Sequence, residues 1–234
     1  MPSLLRKRSP VLPFVLLAWA LAGLVGSPRA ATADPANGAN AAIAPAAPAE
    51  ASSPVPMIER FHAGLLEIMK EAKTLGFEGR VEKLGPLMGR TFDLDFMASK
   101  TVGRHWSTLS PEDKQRWIET FTRFTTANYA GRFKGYSGEK FVTLGTEDAG
   151  HDTRLVRTRI EVPNDEPVEL DYRVMQEKGG AWRVIDVYLN GKVSELTLRR
   201  SEYASALKRD GFDQLCDSVE TKIAELKSKG RSDG

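Results

Sequence analysis

The spacing of apolar residues changes character several times along the chain. From Met57 to Leu75, Ile58, Phe61, Leu65, Ile68 and Ala72 recur at three- and four-residue steps, which predicts one face of a helix ended by Gly76. Phe77 to Met88 predicts a second helix, interrupted near Gly85-Pro86. Phe92 to Val102 predicts a short third one, with Asp93 able to cap it and Gly103 able to end it. Ser110-Pro111-Glu112-Asp113 is a helix start: serine caps, proline takes the first position, and the acids sit at the positive end. Trp117, Phe121 and Phe124 follow at i, i+4 and i+7, and Tyr129 and Phe133 carry the aromatic content to Gly135.

After that the period falls to two. Four strands are expected, at about 140–146, 153–162, 168–176 and 181–189, joined by short connections holding Gly, Pro, Asn or Asp. Short connections make a meander, so the sheet should be antiparallel. On the second strand Val156, Thr158, Ile160 and Val162 oppose Arg157, Arg159 and Glu161. On the third, Val168, Leu170, Tyr172 and Val174 oppose Glu169, Asp171 and Arg173. One sheet face is therefore apolar, the other charged, wet and laced with cross-strand pairs. The fourth strand has two apolar faces, Val184 and Tyr188 flanking Asp186 on one and Ile185, Val187 and Leu189 on the other. Asn190-Gly191 turns the chain, a helical stretch runs to Asp210-Gly211, and Phe212, Leu215, Val219, Ile223 and Leu226 form the stripe of a last helix. The fold class is α+β: a four-stranded antiparallel meander packed against about six helices.

Two segments stand outside that domain. Arg6, Lys7 and Arg8 precede an apolar run from Val11 to Val25, and Ala31-Thr32-Ala33 fits a small-residue cleavage pattern. Residues 1–33 read as a secretory signal peptide, the alternative being an uncleaved amino-terminal anchor. Residues 34–56 are dominated by Ala and Pro and cannot bury enough surface to repay their ordering entropy, so they read as a disordered linker. The folded domain is expected over 57–229, with a polar tail at 230–234. The leader also changes the charge. Four of the 33 basic residues, Arg6, Lys7, Arg8 and Arg29, lie in it beside no acid, and the remaining 29 against 31 acids give a net of −2. That balance does not suit a nucleic-acid binder.

Catalytic chemistry finds little support. His62, His105 and His151 lie in three separate settings, no metal-ligand spacing occurs, and neither a phosphate-cradling glycine loop nor Gly-x-Ser-x-Gly is present. No metal, cofactor or catalytic residue is therefore assigned. The one cysteine, Cys216, sits inside an amphipathic stripe and reads as a buried structural thiol. Asp186 is a lone acid on an apolar strand, either hydrogen-bonded to a neighbouring element or a buried general base. Arg199-Arg200 is either a solvated helix start or a contact for a lipid headgroup or an acidic partner.

Three segments carry a family resemblance. Asp95-Phe96-Met97-Ala98 precedes Gly103-Arg104-His105-Trp106, and the run Trp182 to Leu215 reads W-R-V-I-D-V-Y-L-N-G followed by R-R-S-E-Y-A-S-A-L-K-R-D-G-F-D-Q-L. These resemble the periplasmic lipid-shuttle proteins of the MlaC (toluene-tolerance) family, and in detail its hopanoid-associated HpnM branch. The resemblance implies a cone similar to nuclear transport factor 2, enclosing an apolar cavity for a hopanoid or a phospholipid. It also implies an inner-membrane transporter partner (an RND-type exporter or an ABC complex), an outer-membrane component and transient membrane contact. Face assignment then nominates the cavity lining: Phe96, Val102, Trp106, Trp117, Phe121 and Phe124 from the helices, and Val156, Ile160, Leu170, Tyr172 and Val174 from the middle strands. Ile185, Val187, Leu189 and Val193 complete it. The expected function is lipid carriage across the periplasm. The alternatives are an enzyme on the same scaffold using Asp186 or His105, and a structural adaptor of an envelope complex.

Overall fold

A computed structural model describes residues 53–232. The leader and most of the linker fall outside the described residues; the linker's last two residues, Val55 and Pro56, already belong to a helix.

Four helices precede the sheet: α1 (Val55–Lys70), α2 (Ala72–Thr91), α3 (Leu94–Val102) and, after a 3₁₀ turn at Gly103–Thr108, α4 (Pro111–Arg132). Then come β1 (Lys140–Asp148), β2 (Thr153–Glu161), β3 (Val168–Gln176), β4 (Trp182–Leu189), β5 (Val193–Ser194) and α5 (Glu195–Ser232). The predicted caps form. Asp93 accepts the Phe96 N–H at 2.9 Å, and Ser110 Oγ accepts the Asp113 N–H at 3.0 Å. The interruption expected at Gly85-Pro86 does not occur: α2 runs through Pro86, and its break lies at Gly76. The last helix breaks at Gly211, where φ is 84°.

The sheet is fully antiparallel in the order β1-β2-β3-β4-β5, so the strand number is five, not four. Asn190 and Gly191 both have positive φ, 51° and 63°, which folds the chain straight back on β4. Leu189 then pairs with Val193 and Tyr188 with Ser194. Two residues are too few to show a period, which is why β5 escapes the pattern. The rest of β4's outer edge is met by Phe92, the extended residue ending α2, which bridges Val184.

One register detail rearranges the faces of β4. Arg173 pairs with Asp186, but Val174 pairs with Val184, leaving Ile185 as an extra, bulged residue. Val184 therefore shares the core face with Val187, while Ile185 joins Asp186 on the other side. The strict alternation expected for this strand is wrong for that reason. The charged sheet face is also less wet than expected. Asp171 is 1% exposed, and Arg157 Nε lies 2.8 Å from its Oδ2, with Glu147 and Glu169 at 3.6 and 3.8 Å from the same guanidinium.

The core lies between the other sheet face and the helices. Ile58, Phe61 and Leu65 of α1, Leu84 and Met88 of α2, and Trp117 of α4 meet Val156, Tyr172, Val174 and Val184. Trp117 donates its indole N–H to Ala98 O at 3.0 Å. Cys216 is buried in this core, and burial pushes its thiol up to about 11. The expected polar tail is helical to Ser232 and docked. Arg231 and Lys227 reach Glu78 at 2.5 and 3.5 Å, and Gly230 lies so close to the Phe77 ring that a Cβ there would collide with it.

His62 sits in the core, stacked on Phe141 at 4.2 Å and sharing a 3.0 Å hydrogen bond with the Tyr172 hydroxyl. Burial lowers its pKa from 6.5 to about 3. Between those values the unfolded chain holds a proton that the folded chain lacks, so stability falls as pH falls below 6.5. The loss is up to about 1.4 kcal/mol per pH unit, or about 2 kcal/mol at pH 5. Denaturant melts of wild type and His62→Gln at pH 7.5 and 5 should diverge by that amount. Parallel pH dependences would show that His62 is not held neutral.

Candidate lipid-binding site

Close packing has filled most of the interior nominated as a cavity. Trp117, Val156, Tyr172 and Val174 are fully buried, and Val102, Ile160 and Leu170 nearly so; none of these seven lines the void, the groove or the hollow described below. Between α3, α4, β4 and the start of α5, Phe121, Phe124 and Val187 border a void of only about 10 Å³. That is about room for one water, not for an acyl chain. Trp106 is half-buried on the 3₁₀ turn with Lys114 over its ring, and Leu189 is half-buried against the core. Val193 is 51% exposed on β5, because the short hairpin lifts it out of the interior. Phe96 and Ile185 border a separate hollow.

The large space is a groove of about 870 Å³ between α1, α2 and the start of β4. Met57 and Phe61 of α1, Leu87 of α2 and Trp182 of β4 make its apolar surface. Arg60, Arg90 and Arg183 stand around it, Arg183 held to Glu177 at 3.1 Å and donating to the Arg90 carbonyl. Helix amphipathicity turns Phe61 inward, where it forms the groove's back wall. Its ring meets those of Phe92, Tyr129 and Tyr172 edge-on at centroid distances of 5.2, 6.2 and 6.1 Å. Phe92 and Tyr129 also border the small inner void. An aromatic wall thus separates the groove from that void.

None of the nominated residues lines the groove. The signal that marks it is small side chains, not large ones. Gly64 lets α1 approach α2, with Leu87 3.0 Å from where a Cβ would stand, and Gly180 and Ala181 leave the wall beside Trp182 low.

Asp186 is occupied structurally. Its carboxylate accepts from Val187 N at 2.8 Å, Leu196 N at 3.1 Å and Ser194 Oγ at 2.6 Å, which fixes the turn from β5 into α5. Burial raises its pKa and these hydrogen bonds oppose the rise. Among the described residues, no three His, Cys, Asp or Glu side chains gather as metal ligands would. His105, the other residue of the enzyme reading, lies half-buried in the 3₁₀ turn.

The MlaC protein family profile matches residues 59–221, most of the described domain. The chain belongs to the MlaC family. Among curated relatives, the intermembrane phospholipid transport system binding protein MlaC of Haemophilus influenzae is 23% identical over 137 residues. That match covers 57% of this chain and 63% of the relative, so the chain spans under two thirds of the relative's length. Among solved structures, a phospholipid-binding protein of Ralstonia solanacearum, in complex with a phospholipid, aligns with a TM-score of 0.62 at 24% identity. The alignment covers 73% of this chain and 97% of that one. At that identity the likeness establishes the α+β fold of the MlaC domain.

Proposed function

We propose that this chain is a periplasmic phospholipid carrier, holding the apolar part of its cargo in the groove between α1, α2 and β4. The observation that carries this is the groove itself: about 870 Å³ of space with an apolar wall of Met57, Phe61, Leu87 and Trp182 and a set of arginines around it. Apolar surface receives methylenes and guanidinium groups receive phosphate. Each methylene withdrawn from water is worth about 0.8 kcal/mol, so a two-chain lipid crosses an aqueous space only when shielded. Shielding needs no catalytic group. The names of the Haemophilus relative and the Ralstonia structure, both tied to phospholipid, support the same cargo. The charged n-region and apolar run of residues 1–33 support export. The partners that follow are a lipid-delivering transporter complex in the inner membrane, of ABC or RND type, and an acceptor at the outer membrane.

Native mass spectrometry of the protein purified from the periplasm, followed by lipid extraction, tests this reading. A bound mass equal to a phospholipid supports it. A hopanoid mass keeps the carrier and changes the cargo. A protein without lipid that also takes none from vesicles contradicts it and leaves the adaptor reading.

A further inference from the structure

On the other face of β4 lies a second hollow, of about 310 Å³, between α3, the strand ends and the start of α5. Its apolar floor is Phe96, Met175, Ile185 and Leu196. Lys100, Arg173 and Arg200 surround it, with His151 at the rim. These three cations face one hollow without an ion pair, whereas several arginines elsewhere have one. Arg116, Arg157, Arg199 and Arg231 each lie within 4 Å of a carboxylate. Among the described residues, no carboxylate comes within that distance of Lys100, Arg173 or Arg200. Lys100 rests over the Phe96 ring at 4.8 Å. Arg173 is half-buried and donates only to neutral acceptors, Thr153 Oγ1 at 2.9 Å and Ala149 O at 3.2 Å. Arg200 lies over the backbone of Gly103, its Nε 3.1 Å from where a Cβ would stand. Among the described residues Asp186 is the one acid bordering the hollow, and its oxygens are turned to the three donors that fix the start of α5.

Like charges gathered over an apolar floor repel one another and focus a positive potential. An anion relieves both effects, and an anion carrying methylenes also covers the floor. We infer that this hollow receives the phosphate headgroup and first methylenes of an anionic phospholipid in a bilayer surface, and so docks the protein on membranes. A free phosphate would leave the half-buried Phe96 and Met175 uncovered. The hollow and the groove share one end of the sheet, the end formed by the 149–152 and 177–181 turns: His151 borders the hollow, and Gly180 and Ala181 border the groove. Docking through the hollow brings that end, with the groove's Gly180 and Ala181, to the bilayer. The purpose of such docking rests on the carrier reading; the site itself does not.

The test is binding of the purified exported protein to phosphatidylcholine vesicles with and without phosphatidylglycerol, for wild type and the double variant Lys100→Gln/Arg200→Gln. Both side chains are exposed, so the variant should melt as wild type does and carry the same cargo by native mass spectrometry. Wild type should prefer the phosphatidylglycerol vesicles, and the variant should bind them about thirtyfold more weakly, at about fivefold per charge. Equal binding by the two proteins overturns the inference. So does displacement of wild type by millimolar inorganic phosphate at constant ionic strength, which would make the hollow a free-phosphate site. If the variant loses vesicle binding while wild type holds no lipid, the docking site stands and the carrier reading fails.

Discussion

Trp117→Ala should cost this protein about 3–5 kcal/mol of stability, the largest loss expected from any single truncation in it. Trp117 is 0% exposed. Its ring meets Tyr203 edge-on at 5.2 Å and contacts Phe121 and Phe212 at 6.5 and 6.3 Å. Its N–H ties α4 to the Ala98 carbonyl of α3. Removing it leaves a cavity where α3, α4 and both arms of α5 converge, and no neighbouring side chain is free to fill it. For a domain of this size the melting temperature should drop by about 10 °C. Trp117→Phe should lose less, because the ring volume is largely kept and only the hydrogen bond goes. A drop below about 1 kcal/mol for Trp117→Ala would mean that the residue borders a space already open, as a lipid-facing wall would.

Leu87→Glu should remove at least nine tenths of the bound lipid while leaving a folded protein. Leu87 is half-buried on α2 and faces the groove. A carboxylate there keeps access to water in the empty protein, so the fold loses only the partial burial of one side chain, about 1 kcal/mol. In the loaded protein the same carboxylate either faces methylenes or pairs with Arg90 one turn on and takes that cation from the headgroup; both disfavour the lipid. Leu87→Met should retain it. The informative contrast is Val187→Asp. Val187 is 3% exposed beside the 10 Å³ void, so a charge there should unfold the domain rather than empty it. Lipid retained by Leu87→Glu at the wild-type level would remove the groove from the account.

Much of the fold is legible in the sequence because its signals are local. Asp93 and Ser110 cap where their side chains can reach the next turn, and the alternation of Val156, Thr158 and Ile160 fixes which face of β2 is buried. What the pattern misses depends on pairing between strands. The bulge at Ile185 becomes visible only when β3 lies beside β4, and it alone decides that Ile185 leaves the core face. The site is less legible still. A large apolar side chain reads the same whether it fills a core, as Tyr172 and Val174 do, or walls a groove, as Met57 and Leu87 do. Space in a protein is made by what is small or absent, and Gly64, Gly180 and Ala181 carry no hydrophobic signal. The resemblance to lipid-shuttle proteins indicated the family but not the location of that space. Asp186 shows the converse: a buried acid suggests chemistry until its three donors are seen.

The most direct measurement is photo-cross-linking with a phospholipid whose acyl chain carries a diazirine, with the adducts mapped by peptide mass spectrometry. The account predicts adducts on the groove side of α1 and α2 and at the start of β4, at Met57, Leu87 and Trp182. Adducts at Phe121, Phe124 and Val187 instead would contradict it. They would mean that the helices part to admit lipid into the interior, and that the groove is not where the cargo rides.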